Sequence, residues 1–255
     1  METKRNIKYS ELKTDISLSD FVKCYWSFDN SSSENYGSTI LPDGCFDLIV
    51  EISDRKVQKI ILTGLWTNHV EISVAANTLL WGIRFKLLSV EYILQRDISS
   101  IINNRQIIRN DFWQINSLIT LDFNSFCDHI TTKLSSIIGS GKGIDNRKSN
   151  LFNNLYQTKG SSTVSEYANI ASWSSRQINR YFNDRFGLSL KAYCNILRVF
   201  ASFSDVKKGK LFPQQNYFDQ SHFIKEIKKY TGVNPKELND NKNDRFLQLL
   251  TMGEK

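Results

Sequence analysis

Hydrophobic positions change their spacing along this chain. Between residues 20 and 86 they gather into short runs rich in Val, Ile, Phe, Tyr and Trp. FVKCYWSF (21–28), CFDLIVEI (45–52), VQKIILTGL (57–65) and LLWGIRFKL (79–87) have the make-up of β-strands. Pro42-Asp43-Gly44 punctuates two of them. Pro pre-sets φ, Gly permits positive φ, and an Asp side chain bonds the backbone two residues on, so the tripeptide predicts a turn. Ser89 is placed as the N-cap of a short helix through VEYILQR. From 111 to 138 the spacing turns helical, with Phe123, Phe126, Ile130 and Leu134 near one face. SSIIGSGKGIDNRKSN (135–150) is rich in Gly, Ser, Asn and charge and reads as a linker. Beyond it helical periodicity dominates, interrupted at Gly160, Gly187, Gly209 and Gly232. The pattern therefore predicts an α+β chain. A β-rich domain with trailing helices fills 1–138, a linker 139–150, and an all-α domain 151–255.

The helical part repeats itself. WSSRQINRYFNDRFGLSLKAY (173–193) aligns without gaps on FDQSHFIKEIKKYTGVNPKEL (218–238), 45 positions later. Ser174 matches Asp219, both good N-caps. Ile178 and Phe182 match Phe223 and Ile227, an apolar stripe at i, i+4. Gly187 matches Gly232, each suited to a left-handed C-cap. Ser189 matches Asn234, and the basic positions Arg180 and Lys191 match Lys225 and Lys236. A duplicated hairpin in a helical bundle would explain caps and stripe. It would not require basic residues to recur in register.

Ahead of the first copy, Thr163 can cap a helix through VSEYANIA (164–171), and small Ala168 allows close crossing. Helix, tight turn, second helix with an exposed polar start is the grammar of DNA-reading helix pairs. Residues 189–206 would form the joining helix, about 18 residues at ~1.5 Å each, or roughly 27 Å. Successive major grooves on one face of a duplex lie roughly 34 Å apart.

Charge sharpens this picture. The net charge of the 255 residues is +7. Residues 1–150 hold 17 basic and 17 acidic side chains, so the whole excess lies in 151–255. Such asymmetry suits one part that meets a polyanion and one that does something else. No stretch approaches the roughly 18 apolar residues of a membrane span, and METKRNIKYSELKTDIS lacks the apolar core of a secretory signal. The four cysteines (Cys24, Cys45, Cys127, Cys194) are scattered, as expected of buried thiols in a reducing cytoplasm.

Candidate chemistry is sparse. His69, His129 and His222 have no carboxylate or Cys cluster at ligand spacing, so neither metal nor general-base chemistry is expected. Asp43 is explained by the turn. Asp47, in an apolar strand, either faces an edge or lines a pocket. Trp26, Trp66 and Trp81 are expected in the core, and Trp173 at the first interhelical turn. No P-loop, dinucleotide fingerprint or nucleophile elbow is present.

Residues 151–240 resemble the double helix-turn-helix DNA-binding domain of AraC/XylS-type transcription regulators. S-S-R-Q-I-N-R-Y-F (174–182) is similar to the first motif. F-D-Q-S-H-F-I-K-E-I-K-K-Y-T-G-V-N-P-K-E-L (218–238) is similar to the second. Trp26, L-P-D-G with F-D-L-I (41–49) and G-I-R-F (82–85) resemble, more weakly, an N-terminal domain of some of these regulators. The resemblance implies groove contacts from Arg176, Asn179 and Arg180 in helix 174–186, and from Gln220, Ser221, His222 and Lys225 in helix 219–231. Arg suits guanine and Asn or Gln suits adenine, whereas Lys228 and Lys229, with Lys225, suit phosphate. Ser172 stands where the family usually has Gly. KKGKLFPQQNYF (207–218) replaces a small-residue helix; Gly209 and Pro213 oppose regular helix, so the supporting helix is expected to be short and to start near Pro213.

The expectation is a cytoplasmic, sequence-specific regulator of transcription that binds double-stranded DNA without a cofactor. Its N-terminal domain would sense a small molecule or protein, or mediate self-association. A homodimer is optional, since one chain already carries two readers. The alternative is a protein-interaction module whose second motif no longer binds DNA.

Overall fold

The computed structural model describes residues 7–118, 122–141, 143–214, 217–241, 245, 246 and 249. Eight strands come first: β1 (Ile7–Lys13), β2 (Val22–Asn30), β3 (Tyr36–Ile40), β4 (Phe46–Ser53), β5 (Lys56–Thr63), β6 (Val70–Val74), β7 (Thr78–Phe85) and β8 (Arg105–Ile108). A one-turn helix α1 (Ser89–Tyr92) precedes β8. Seven further helices follow: α2 (Phe123–Ser140), α3 (Asn146–Gln157), α4 (Val164–Ile170), α5 (Ser175–Phe186), α6 (Leu190–Lys207), α7 (Gln220–Thr231) and α8 (Pro235–Asp240). The chain is α+β, with the sheet first and the helices after it.

Six strands form one antiparallel sheet in the order β1-β2-β7-β4-β5-β8, and β3 pairs with β6 as a separate ribbon. Alternation along β4 decides what each sheet face does. Phe46, Leu48 and Val50 enter the main core, while Asp47, Ile49 and Glu51 turn to the other face and line a cavity. Strand β7 repeats this, with Trp81, Ile83 and Phe85 in the core and Leu80 and Arg84 on the cavity side. Gly82 lies opposite Trp26. A Cβ there would come within 1.9 Å of the indole, so glycine is what lets the ring lie across β7.

The main core does not stop at the end of the sheet. It runs from Leu18 through the sheet into α2, α3, α5, α6, α7 and α8. Polar contacts join the halves at its edge. The Tyr193 hydroxyl of α6 donates to the Gly44 carbonyl at 2.9 Å, and the Leu87 N–H donates to the Tyr156 hydroxyl of α3. Lys23 lies 4.4 Å from the ring centre of Phe200 on α6. The chain end returns as well: the Thr39 N–H of β3 donates to the Arg245 carbonyl at 2.7 Å, and the Arg245 guanidinium pairs with Glu71 of β6 at 2.7 Å.

Several local expectations need correction. Ser89 is not an N-cap; it is the first residue of α1, and its hydroxyl bonds back to the Lys86 carbonyl. Of 139–150, Gly139 and Ser140 close α2 while 146–150 open α3, with Asp145 capping through the Arg147 N–H. Trp26 is buried, as expected, in a second core cluster with Phe28, Tyr36 and Val74, and it also borders the cavity; Trp66 is half-buried and lines the cavity instead, and Trp81 is a core residue. No helix forms over 211–214 or 217–219, where a short one was expected from Pro213. Gly209 takes φ +79° there, and Tyr217 anchors the irregular segment instead. Its hydroxyl lies 3.1 Å from Ser202 Oγ and its ring 5.1 Å from that of Phe223.

Phe182 sits at the centre of the helical core, with ring centres of Phe152, Phe186 and Tyr193 within 5.9 Å of it. Phe182→Ala removes that hub, and its urea midpoint should report a loss of ~3–5 kcal/mol.

Candidate nucleic-acid interface and cavity

The 45-residue repeat has a structural counterpart in full register, since α5 and α7 start and end 45 positions apart. Both begin at a side-chain cap: the Ser174 hydroxyl accepts from the Gln177 N–H, and Asp219 from the His222 N–H. Residues at the matched third position also turn back. Gln177 accepts the Ser174 N–H, and the His222 Nδ1 accepts the Phe218 N–H at 3.3 Å. Both helices end at a left-handed glycine, Gly187 at φ +80° and Gly232 at φ +78°. Each buries its stripe, Ile178, Phe182 and Phe186 in one, Phe223, Ile227 and Tyr230 in the other.

The opposite faces are open. Arg176 and Arg180 of α5 and Gln220, Ser221, His222, Lys225, Lys228 and Lys229 of α7 are exposed, and Asn179 is half-buried. Among the described residues no ion pair or hydrogen bond engages the side chains of Arg176, Arg180, Lys225 or Lys228. Lys229 faces Glu226 at the 4.0 Å limit. Asn179 is partly used inside its own helix, donating to the Ser175 carbonyl. The structure thus keeps a fan of uncommitted donors on each helix.

What precedes the two helices differs. Helix α4 carries a complete capping box at Thr163 and Glu166. A tight turn follows in which Ser172 adopts φ +51°, the left-handed geometry a glycine would take more cheaply. Trp173 closes that turn against Tyr181, 5.1 Å between ring centres. Ahead of α7 stands the irregular segment anchored by Tyr217.

Both helix ends abut the sheet half. The Ile98 N–H donates to the Arg185 carbonyl at 3.0 Å, and a Cβ on Gly187 would meet Ser99. A Cβ on Gly232 would meet the His69 ring at 2.7 Å. Glu91 of α1 binds three groups of the helical half: Lys148 at 2.6 Å, Arg185 at 3.3 Å and the Tyr181 hydroxyl at 3.3 Å. Nothing in the sequence singled Glu91 out; its position two residues into a one-turn helix gave no signal.

The cavity, of about 110 Å³, lies between the large sheet and the β3–β6 ribbon. Trp26, Phe28, Ile49, Ile61, Trp66 and Leu80 give it apolar walls, and Asp47, Thr63, Arg84 and Arg105 supply polar groups. Asp47 Oδ1 accepts from Trp26 Nε1 at 2.7 Å and Arg84 Nε at 3.2 Å. Arg84 also reaches Asp43 at 3.6 Å and Glu11 at 3.8 Å, and Lys23 pairs with Asp43 at 3.3 Å. Burial raises the Asp47 carboxyl above its ordinary range, although Arg84 and the indole N–H oppose this. Burial also acts on Asp43, but Lys23, Arg84 and the Cys45 N–H outweigh it and hold that carboxyl below the ordinary range. Asp43 is thus both the turn residue the sequence suggested and a link in the ion chain Lys23–Asp43–Arg84–Asp47. Arg84 was the missed member; a lone arginine inside LLWGIRFKL was its only sequence signal.

Among the described residues, no group of three His, Cys, Asp or Glu could hold a metal ion, and no helix is long and apolar enough to cross a membrane. The four cysteines are free and buried, and burial pushes each thiol up to about 12.

Residues 10–107 match the model of a domain of unknown function, DUF6597. No curated protein matches the chain. The chain is similar to solved structures of ToxT from Vibrio cholerae. For strain O395 the identity is 11%, the TM-score 0.41, and the match covers 98% of both chains. For an apo form carrying one substitution, from strain SCE256, the identity is 12% and the TM-score 0.42, over 89% of this chain and 98% of that one.

Arg84→Gln leaves Asp43 and Asp47 buried without their shared cation. A loss of ~3–5 kcal/mol at neutral pH is expected. Asp43 keeps Lys23 and the Cys45 N–H, whereas Asp47, already raised by burial, loses its main opposing charge and titrates higher still in the folded chain. The Asp47 penalty is then present above that raised value and fades as pH falls through it. Urea midpoints of the variant should therefore move toward the wild type on acidification from about pH 7 to about pH 5.

Proposed function

We propose that the chain is a sequence-specific DNA-binding regulator of transcription of the AraC/XylS type, with two helix-turn-helix units. The observation that carries this reading is the pair α5 and α7, matched in length, caps and buried stripe, each presenting uncommitted basic and amide side chains. In this reading Arg176, Asn179 and Arg180 face one major-groove segment, and Gln220, Ser221, His222 and Lys225 the next. Lys228 and Lys229 touch phosphate and set register. Helix α6, 18 residues and roughly 27 Å long, is the spacer. The helical part, about residues 151–255, is the DNA-binding domain. The sheet half is the sensor, its cavity the effector site, and the protein acts in the cytoplasm.

A second reading draws on the segment ahead of α7. With no supporting helix among residues 211–214 and 217–219, α7 would serve a protein partner and bind no DNA. Gel-shifts with genomic fragments separate the two. The regulator binds saturably in the presence of competitor DNA and weakens steeply as salt rises. Absence of binding to every fragment, together with a protein that co-purifies, supports the interaction module.

Residue roles separate as well. Arg180→Ala and Gln220→Ala should each cost ~1–3 kcal/mol on the best site and relax preference at one base position. Lys228→Ala should weaken all sequences alike and flatten the salt dependence. Identical behaviour of the two kinds of variant would refute the division into readers and positioners.

A further inference from the structure

The cavity carries information about what fills it. Its walls are aromatic and branched aliphatic, and its volume of about 110 Å³ is that of one ring rather than a long chain. For scale, an apolar cavity of about 150 Å³ admits benzene. Burying a polar ligand group here requires a hydrogen-bond partner, so the few polar wall atoms select the class.

Those atoms are unequally available. Asp47 Oδ1 already accepts two hydrogen bonds, whereas Oδ2 receives none among the described residues, and a carboxylate oxygen can accept two. Arg84 gives its Nε–H to Asp47, with Asp43 and Glu11 close enough for charge attraction. Thr63 Oγ1 accepts the Asp47 N–H. Glu51 is held by Lys59 at 2.9 Å. Arg105 is exposed on the edge strand β8, where water and salt screen it. Asp47 Oδ2 is therefore a vacant acceptor beside vacant donors on Thr63 and Arg84. With Asp43, Asp47 and Glu11 set against Arg84 and Lys23, the cluster has one more acidic than basic group, and an incoming carboxylate would lie beside the Asp47 carboxylate.

We propose that the cavity takes a ring-sized apolar molecule carrying an N–H or O–H donor, an amine or an alcohol, which Asp47 anchors through Oδ2. The proposal deepens, and rests on, the reading of this cavity as the effector site. The raised Asp47 carboxyl agrees with a site that gains from a donor.

The test titrates the full chain with benzylamine, benzyl alcohol and benzoate, read by tryptophan fluorescence, since Trp26 and Trp66 line the cavity. The amine and the alcohol should bind saturably and at least about tenfold tighter than benzoate, that being ~1.4 kcal/mol. Asp47→Asn should cost both about tenfold. Its amide oxygen must keep accepting from Trp26, so its NH₂ group replaces the free acceptor. Leu80→Trp, which fills the cavity, should abolish binding of both. Benzoate binding as tightly as the amine, no binding of any of the three, or full affinity in a folded Asp47→Asn variant would overturn the proposal. The wild-type comparison decides the ligand class even where Asp47→Asn fails to fold. A gel-shift repeated with saturating benzylamine separates the two claims: tight, Asp47-dependent binding with unchanged DNA affinity keeps the ligand class and removes the effector role.

Discussion

One backbone carbonyl, that of Gly44, is a buried point at which the two halves of this chain meet. Gly44 holds φ +75°, and a Cβ there would meet Leu197 at 2.8 Å and Tyr193 at 3.3 Å. Only glycine therefore lets the L-P-D-G turn reach the surface of α6, and there the wholly buried Tyr193 hydroxyl finds its shorter acceptor at 2.9 Å, the Tyr156 hydroxyl lying at 3.3 Å. The same turn carries Asp43, which Arg84 links to Asp47 and the cavity. The helix that spaces the two repeats thus rests on the loop that carries this link of the ion chain. A change at Asp47 has a short physical path to α6, through Arg84, Asp43 and Gly44.

The duplicated helices are alike in themselves and unlike in their support. Helix α5 leans on α4, on Trp173 and, through Arg185 and Tyr181, on Glu91. Helix α7 has Tyr217 on one side and His69 against its terminal glycine. The returning chain end ties α6 to β3: Phe246 and Leu249 are buried, Lys207 donates to the Leu249 carbonyl and Thr39 bridges to Phe246. Both helix C-termini touch the sheet half, so any shift of that half bears on both.

Much of this was legible in the sequence because it is local. Caps at Thr163, Ser174, Ser189, Asp219 and Asn234, stops at Gly187 and Gly232, and the stripes between them follow from side-chain chemistry within one or two helical turns. The runs at 21–28, 45–52, 57–65 and 79–87 announced β2, β4, β5 and β7 by composition. Strands β1, β3, β6 and β8 escaped because IKYSELK, YGSTI, VEISV and RQII are short or polar and gain their identity from pairing partners elsewhere in the chain. Trp66 was misplaced in the core for a related reason. A strand's alternation shows that it has two faces, but not that one of them borders a cavity. Glu91 and Arg84 join groups far away along the chain; nothing near Glu91 marks it, and Arg84 shows only as a lone arginine in the apolar run LLWGIRFKL.

The central claim is that α5 and α7 are two readers of one duplex. Hydroxyl-radical footprinting of the full chain on a duplex enriched from a random-sequence pool tests it most directly. Two protected windows about 10 base pairs apart on one face of the helix are expected, with Arg180→Ala erasing base preference in one window and Gln220→Ala in the other. A single window, untouched by changes in α7, would contradict it.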